Sequence, residues 1–164
     1  MRGRPTVFLD RDGVINRERG EHTWRLEDFE ILPDVAEAIR TINASGRLVI
    51  VISNQSGIGL GLYGKGEVER LHDYLHAQLA AQGAAIDAVY YCPHHPTQGR
   101  CLCRKPGSLL LERAIARHGI DASSSVMIGD RERDIEAAVA VGVKGILVEP
   151  NASLLQTMRQ NDIV

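Results

Sequence analysis

The chain has 164 residues, of which 19 are basic and 21 acidic, so its formal net charge at pH 7 is −2. This near balance offers no basic surface for nucleic acid, and no apolar run is long enough to span a membrane. The first residues lack the apolar segment of a signal peptide, which predicts a cytoplasmic protein. The length is typical of one domain, and we expect residues 1–164 to form a single, monomeric domain.

Short, continuous apolar runs alternate with amphipathic segments along the whole chain. Strands are predicted over residues 6–9, 48–52, 88–91, 125–128 and 145–148. Helices are predicted from apolar residues at helical spacing, in four groups: Val35, Ile39 and Ile42; Val68, Leu71, Leu75 and Leu79; Leu110, Leu111, Ala114 and Ile115; and Ile135, Ala138 and Val139. Strands that are buried on both faces have uninterrupted apolar runs. The pattern therefore predicts an α/β fold, a doubly wound, Rossmann-like parallel sheet.

Polar clusters follow three of the predicted strands, at the point where each strand ends. Asp10 and Asp12 follow the first strand, Ser53 follows the second, and Asp130 follows the fourth. Because open α/β sheets bind ligands at the carboxyl ends of their strands, we expect these side chains to converge. Each cluster alone is also compatible with a turn or a helix cap. Their combination at one edge predicts an active site.

The carboxylates at this edge match the requirements of phosphoryl transfer. Asp10 is the predicted nucleophile, and Asp12 is predicted to protonate the leaving oxygen and later to activate water. Carboxylates also suit a magnesium ion, which prefers oxygen ligands. Asp130 is predicted to complete the magnesium site, and Asp134, one helical turn later, to support it without binding the ion directly.

Two further catalytic residues are predicted to hold the transferred phosphoryl group. Ser53 offers a hydroxyl group and lies near backbone N–H groups that could donate to phosphoryl oxygens. Lys105, in the basic pair before the third helix, supplies a compact positive charge. That charge should also keep the Asp10 carboxylate ionised.

A cysteine-rich loop follows the third predicted strand and contains Cys92, Cys101 and Cys103. An odd number of clustered cysteines argues against a disulfide framework and favours a metal site. With His94 or His95 as the fourth ligand, the loop can complete a tetrahedral zinc site. Because protein ligands would then occupy every position, we predict a structural zinc that fixes the loop before the basic pair.

On these motifs the chain resembles the haloacid dehalogenase-like phosphohydrolase superfamily over nearly its whole length. The four motifs are Asp10-Arg11-Asp12-Gly13-Val14, Ser53 after an apolar strand, Lys105-Pro106, and Gly129-Asp130-Arg131-Glu132-Arg133-Asp134. The resemblance implies a phosphoaspartate at Asp10, and magnesium held by Asp10, the Asp12 carbonyl and Asp130. The gaps between the motifs leave no room for an inserted cap domain, so a capless fold is expected.

The cysteine loop resembles the branch of this superfamily that contains heptose bisphosphate phosphatases and histidinol-phosphatases. In that branch the Cys-x-His spacing favours His94 over His95, which gives the zinc ligands Cys92, His94, Cys101 and Cys103. Residues 53–58 and 94–96 are closer to the heptose enzymes. This implies hydrolysis of the 7-phosphate of D-glycero-D-manno-heptose 1,7-bisphosphate, a precursor of lipopolysaccharide or other surface polysaccharides. The short cysteine loop and the Gly-Asp-Arg-x-x-Asp motif are closer to histidinol-phosphatase, which remains the alternative.

A bisphosphate substrate needs a second anion-binding position besides the one at the nucleophile. The predicted substrate-binding residues are Arg11, Asn54, Gln55, Arg104 and Arg131. Among them, Arg104 and Arg131 are expected to bind the second anionic group. Without a cap domain, the crevice would be closed by the loops that follow the first and second strands.

A phosphorylated, receiver-like signalling domain is the alternative from another class of protein. It would share the parallel sheet and a magnesium-supported aspartate. Asp12 argues against this alternative, because an acid–base group two residues after the nucleophile speeds turnover, whereas signalling requires a persistent phosphoryl group.

Overall fold

A five-stranded parallel sheet with the strand order β3-β2-β1-β4-β5 forms the centre of the protein, as seen in a computed structural model that describes residues 3–164. The strands are β1 (Thr6–Leu9), β2 (Leu48–Asn54), β3 (Ala88–Cys92), β4 (Val126–Gly129) and β5 (Lys144–Leu147). The helices are α1 (Val35–Ala44), α2 (Lys65–Ala80), α3 (Leu109–His118), α4 (Glu132–Ala140) and α5 (Leu154–Gln160). Short 3₁₀ helices lie at Leu26–Asp28, Pro96–Gln98 and Ala122–Ser124. The predicted α/β class with a parallel sheet is confirmed.

The central strand, β1, is buried along its whole length, which explains its continuous apolar sequence. It pairs with β2 from Thr6 opposite Leu48 onward, and with β4 from Val7 opposite Val126 onward. Side chains alternate between the two faces of a strand. Val7 and Leu9 accordingly pack into one apolar cluster, and Phe8 packs into another.

Helices cover both faces of the sheet and bury their apolar sides against these two clusters. The first cluster takes apolar residues from α1, α2 and α5, and the second takes them from α3 and α4. The spacing of the apolar residues in α1 and α2 therefore reflects packing against the sheet. This two-sided packing holds the strand ends, and the polar residues that follow them, in fixed relative positions.

The helix and strand predictions differ from the structure most in β2 and α4, whereas β3, β4 and β5 have ends shifted by one residue. Strand β2 continues to Asn54, so Ser53 is a strand residue and not the start of a turn. In α4 the apolar side consists of Ala137 and Ala138, whereas the predicted core residue Val139 is 65% exposed. The side of α4 that faces the sheet also carries the fully buried Asp134, a polar residue that an apolar periodicity cannot detect.

None of the helices in the described part of the chain combines the length and the apolar character that crossing a bilayer would require.

The contrast between buried and exposed valines on the helices gives a test of the core. Val35 of α1 is fully buried in the first cluster, whereas Val139 of α4 is exposed. We expect Val35→Ala to lower the free energy of unfolding by about 1–3 kcal/mol, because it removes buried methyl groups and leaves a cavity. The matched variant Val139→Ala should have a free energy of unfolding within about 0.5 kcal/mol of the parent. Urea denaturation of the two variants measures both values, and equal losses would contradict the packing described.

Candidate active site

The carboxyl end of β1 places Asp10 beside Lys105, and both side chains are buried. The Lys105 ammonium lies 2.9 Å from Asp10 Oδ1 and 2.6 Å from Asp134 Oδ1, and it donates a hydrogen bond to the Ile52 carbonyl at 2.7 Å. Burial disfavours the charge of Lys105, but Asp10 and Asp134 raise its pKa, so it remains an ammonium. One cation thus joins Asp10 after β1, Ile52 within β2 and Asp134 in the helix after β4.

Three carboxylates, from Asp10, Asp130 and Asp134, converge at this point with oxygen atoms within 4.8 Å of one another. Burial raises the pKa of Asp10 to about 8 and also raises the pKa of Asp130, and the Asp134 carboxylate adds to both shifts. The charge of Lys105 lowers the pKa of Asp10 but does not offset burial, so the expectation that Lys105 alone keeps Asp10 ionised is wrong. Asp130 Oδ2 is buried and has no hydrogen-bond partner among residues 3–164. This donor set fits a hard divalent cation such as magnesium.

Gly13 borders the same group of carboxylates and has to be glycine there. Its φ of +88° lies in the left-handed region, and a β-carbon at this position would collide with the Asp130 carboxylate. The Asp-x-Asp-Gly sequence therefore reflects close packing between the turn after β1 and Asp130.

Asp12 is held by three side chains and faces the crevice with part of its carboxylate. Its Oδ1 atom accepts hydrogen bonds at 2.9 Å from both Arg11 Nη2 and Asn16 Nδ2, and its Oδ2 atom lies 3.3 Å from Gln55 Nε2. Burial opposes ionisation, but the Arg11 guanidinium and the Asn16 amide hold the pKa of Asp12 below its usual value. The Asp12 side chain is 26% exposed, so it remains accessible to a molecule in the crevice.

The predicted contact between Arg11 and substrate needs correction, because Arg11 is fully buried behind Asp12. Its guanidinium donates to Asp12 and to the Thr23 carbonyl, the latter at 2.8 Å. Nη1 lies 3.5 Å from His72 Nε2, and the guanidinium carbon lies 5.7 Å from the centre of the Phe29 ring. Arg11 therefore orients Asp12 and cannot reach the crevice.

The predicted contact between Gln55 and substrate is also wrong, because Gln55 is buried and both ends of its amide bond to protein groups. Nε2 donates to Ser53 Oγ at 2.8 Å and approaches Asp12, and Oε1 accepts from the Tyr63 hydroxyl at 2.9 Å. Ser53 is fully buried at the end of β2, with its hydroxyl beside this amide. The geometry links Ser53 and Asp12 through one amide group.

Asn54 holds the backbone of Lys105 in place. Its Nδ2 atom donates to the Lys105 carbonyl at 3.2 Å, and its Oδ1 atom accepts from the Lys105 N–H at 3.0 Å. These two bonds attach the end of β2 to the Lys-Pro segment, which is distant in sequence. Asn54 also lines the crevice, so the predicted substrate contact is compatible with its position.

The crevice beside Asp12 has a volume of about 220 Å³. Arg131, Arg133, Asn54 and His22 are among its lining residues. Arg131 is exposed and lines this crevice, so its position is compatible with the predicted contact to a second anionic group. Arg104 is half-buried and lines a separate depression formed by the cysteine loop and the Lys-Pro segment, so the two predicted arginines do not share one cavity.

The cysteine loop brings together the four predicted zinc ligands, Cys92, His94, Cys101 and Cys103, with their ligand atoms within 4.8 Å of one another. The sulfur atoms of Cys92 and Cys101 are 3.7 Å apart, and His94 Nδ1 lies 3.2 Å from Cys103 Sγ. Zinc–sulfur bonds of about 2.3 Å in a tetrahedron place two sulfur ligands about 3.7 Å apart, which the Cys92–Cys101 pair matches. The sulfur atoms of Cys92 and Cys103 lie closer together, at 2.9 Å. Burial raises the pKa of Cys92, so a cation would be needed to stabilise its thiolate. The donor set therefore fits a structural zinc.

His95 is not part of this cluster, because its Nδ1 atom bonds to Thr97 Oγ1 at 2.8 Å. The structure thus places His94, and not His95, beside the cysteines.

The sequence interpretation missed three residues that support or line the site, namely Asn16, Tyr63 and Arg133. The loops around Asn16 and Tyr63 have no periodicity, and only the folded chain brings them to Asp12 and Gln55. Arg133 lies in the motif after β4 and its charge was visible in the sequence, but its place in the crevice depends on the start of α4.

Comparison with known proteins agrees with this geometry. Residues 102–162 match a family model described as HAD-hydrolase-like. A D-glycero-D-manno-heptose-1,7-bisphosphate 7-phosphatase from Thermosynechococcus vestitus is 43% identical over 156 residues, which cover 89% of this chain and 79% of that protein. The D-glycero-beta-D-manno-heptose-1,7-bisphosphate 7-phosphatase of Escherichia coli K12 is 38% identical over 146 residues, covering 85% of this chain and 75% of that protein.

A solved structure shares the whole architecture. It is the D,D-heptose 1,7-bisphosphate phosphatase from B. bronchiseptica complexed with magnesium and phosphate, with a TM-score of 0.85 and 31% identity. The match covers 95% of this chain and 86% of that one. The identity and extent of these matches show that the chain belongs to the HAD-like hydrolases, in the family of the D-glycero-D-manno-heptose-1,7-bisphosphate 7-phosphatases.

Proposed function

We propose that this protein is a magnesium-dependent phosphatase that removes the 7-phosphate of D-glycero-D-manno-heptose 1,7-bisphosphate through a phosphoaspartate. The observation that supports this most directly is the convergence of Asp10, Asp12 and Lys105 at the carboxyl edge of the sheet. The family relationship gives the substrate class. It also favours a phosphatase over a receiver-like domain and a heptose substrate over histidinol phosphate.

In the first half of the reaction, Asp10 attacks phosphorus and the bond from phosphorus to the sugar oxygen breaks. Lys105 stabilises the negative charge of the phosphoryl group, and the Ser53 hydroxyl donates to one of its oxygens. Asp12 gives a proton to the departing sugar oxygen. The product of this step is a phosphoryl group on Asp10 and a free sugar hydroxyl.

In the second half, Asp12 takes a proton from a water molecule, which attacks the phosphoaspartate and releases inorganic phosphate. Arg11 and Asn16 both bond to Asp12 Oδ1, so Oδ2 is the oxygen we assign to proton transfer. The lowered pKa of Asp12 favours the ionised form that this half requires. The first half instead starts from the protonated form, in which Asp12 carries the proton that it took from water in the previous turnover.

Magnesium would be held by the carboxylates of Asp10 and Asp130 and by the Asp12 backbone carbonyl. When bound, it supplies positive charge that neutralises the phosphoryl oxygens. Asp134 is proposed to support the site from outside the direct ligand set, through its ion pair with Lys105 and its hydrogen bond from the Arg131 N–H. The neighbouring heptose enzyme complexed with magnesium and phosphate supports the choice of metal.

Replacing the nucleophile tests this mechanism. Asp10→Asn should reduce phosphate release to background, because an amide does not attack phosphorus at a useful rate. The fold should survive, since Lys105 keeps Asp134 as its partner. Phosphate release and the melting temperature are measured together, with the exposed Asp73→Asn of α2 as the matched control. Near-parental turnover in Asp10→Asn would refute the assignment.

The cysteine cluster is proposed to hold a structural zinc that fixes the loop leading to Lys105. His94→Ala should lose the metal and lower the melting temperature, because one of four ligands is gone. His95→Ala, its neighbour, should keep about one zinc per chain. Mass spectrometry after purification without chelator measures the zinc content per chain of the parent and both variants. Full zinc occupancy in His94→Ala, or none in the parent, would contradict the four-ligand site.

Arg104 is proposed to bind the part of the substrate away from the transferred phosphoryl group. It lies between Cys103 and Lys105, so the metal cluster and the active site both restrain its backbone. We expect Arg104→Ala to lower kcat/KM for the heptose bisphosphate roughly ten- to a hundredfold, because one charge-assisted contact is lost. The same substitution should lower kcat/KM for a simple aryl phosphate much less.

The matched control is Arg100→Ala, since Arg100 is exposed and borders the same depression. Both anomers of the heptose bisphosphate and histidinol phosphate complete the panel. An equal loss of kcat/KM for every substrate would mean that Arg104 only supports the loop and does not bind substrate. A parental preference for histidinol phosphate would overturn the proposed substrate.

A further inference from the structure

A buried hydrogen-bond chain connects Tyr63, which lies outside the four motifs, to two catalytic groups. The Tyr63 hydroxyl donates to Gln55 Oε1 at 2.9 Å. Gln55 Nε2 lies 2.8 Å from Ser53 Oγ and 3.3 Å from Asp12 Oδ2. Tyr63, Gln55 and Ser53 are each less than 10% exposed, so water does not compete freely for these bonds.

The chemistry of the partners fixes the orientation of the Gln55 amide. An ionised carboxylate only accepts hydrogen bonds, so Asp12 must face the NH₂ end of the amide. The carbonyl end then points to the opposite, buried side, where it needs a donor. Tyr63 is that donor, and burial raises the pKa of its hydroxyl to about 12, which keeps the proton in place at neutral pH.

This orientation determines what the Ser53 hydroxyl can do. Because Ser53 Oγ accepts a hydrogen bond from Gln55, its own proton is free to point elsewhere. A reversed amide would present its carbonyl oxygen to Ser53 and capture that proton. It would also bring an oxygen atom against the Asp12 carboxylate. The donor at Tyr63 thus leaves Ser53 free to donate to a phosphoryl oxygen.

Packing holds Tyr63 itself in position through two neighbours. A β-carbon at residue 57 would overlap the Tyr63 ring, so Gly57 provides the space that the ring occupies. Trp24 stacks against the same ring, with ring centres 5.9 Å apart and an angle of 15° between the planes. Trp24 and Tyr63 belong to the loops after β1 and β2, so the ring joins the two loops beside the crevice.

We propose that Tyr63 is a positioning residue for phosphoryl transfer, which acts by fixing the Gln55 amide so that Ser53 donates to the phosphoryl group and Asp12 keeps its orientation. This inference rests on the proposed function. The stack with Trp24 extends the effect, because displacement of either loop would move the donor on which the amide depends.

The test removes only the hydroxyl. Tyr63→Phe should lower kcat roughly tenfold, because Ser53 and Asp12 act on charge and proton transfer in the transition state. KM should change less than about twofold, since Lys105 still binds the phosphoryl group. An aryl phosphate and the heptose bisphosphate should show the same loss.

Two controls separate positioning from general damage. Tyr90→Phe also removes a partly buried hydrogen bond of a tyrosine hydroxyl, the one to His118 Nε2 at 3.0 Å. Because Tyr90 takes no part in the chain of bonds to Ser53 and Asp12, this variant should keep the parental kcat. Trp24 is the only tryptophan in the chain, so its fluorescence reports on the stack. An unchanged emission spectrum in Tyr63→Phe would indicate that the ring is still in place.

A double-mutant cycle with Gln55→Met provides the deciding comparison. If the hydroxyl acts through the amide, the double variant should lose no more activity than Gln55→Met alone. Parental kcat in Tyr63→Phe, or losses that multiply in the double variant, would overturn the inference while leaving the proposed function intact. Absence of phosphatase activity in the parent would overturn both. If Tyr63→Phe does not fold, Gln55→Glu is tested in its place, because an ionised glutamate cannot donate a hydrogen bond. A parental kcat in Gln55→Glu would refute the inference.

Discussion

The ammonium group of Lys105 is the interaction on which the rest of the site depends. It is buried, and it contacts Asp10 after β1, Asp134 in α4 and the Ile52 carbonyl in β2. A buried cation is costly unless it is fully paired, and so are the carboxylates around it. Each of these groups therefore stabilises the charge of another. Asp10 and the helix after β4 are held in register by their shared ion pairs with Lys105 as well as by the apolar core.

Lys105 reaches this position through a segment that has no strand or helix of its own. The amide of Asn54 bonds to both backbone groups of Lys105, and the cysteine cluster lies immediately before it in sequence. Order in this segment thus comes from polar contacts and from the packing of the clustered cysteine and histidine side chains. The same division applies to the crevice, where loops supply the chemistry and the sheet supplies rigidity.

The sequence predicted those parts of the molecule that follow from local pattern. Continuous apolar runs predicted the strands of the parallel sheet, and the carboxyl-end rule predicted that Asp10 and Asp130 would lie together. Pattern failed where burial and polarity coincide. Arg11 and Gln55 are polar residues next to catalytic groups, which suggested contact with substrate, yet both are buried and bond to the protein. Their bonds within the protein become visible only when the chain is folded, because partners such as Thr23 and Tyr63 are not adjacent in sequence.

The placement of β1 between β2 and β4 has a consequence for the order of events during folding. The backbone of Thr6 bonds to the side chain of Ser125, 119 residues later. Contacts of such long sequence separation form late, because closing the intervening chain costs entropy. Asp10, the proposed nucleophile, is made among the first residues, but its partner Lys105 comes 95 residues later. The carboxylates of Asp130 and Asp134, which complete the cluster, arrive only when β4 and α4 dock. A partly folded chain therefore has no working centre, and catalytic competence appears only when the whole sheet has assembled.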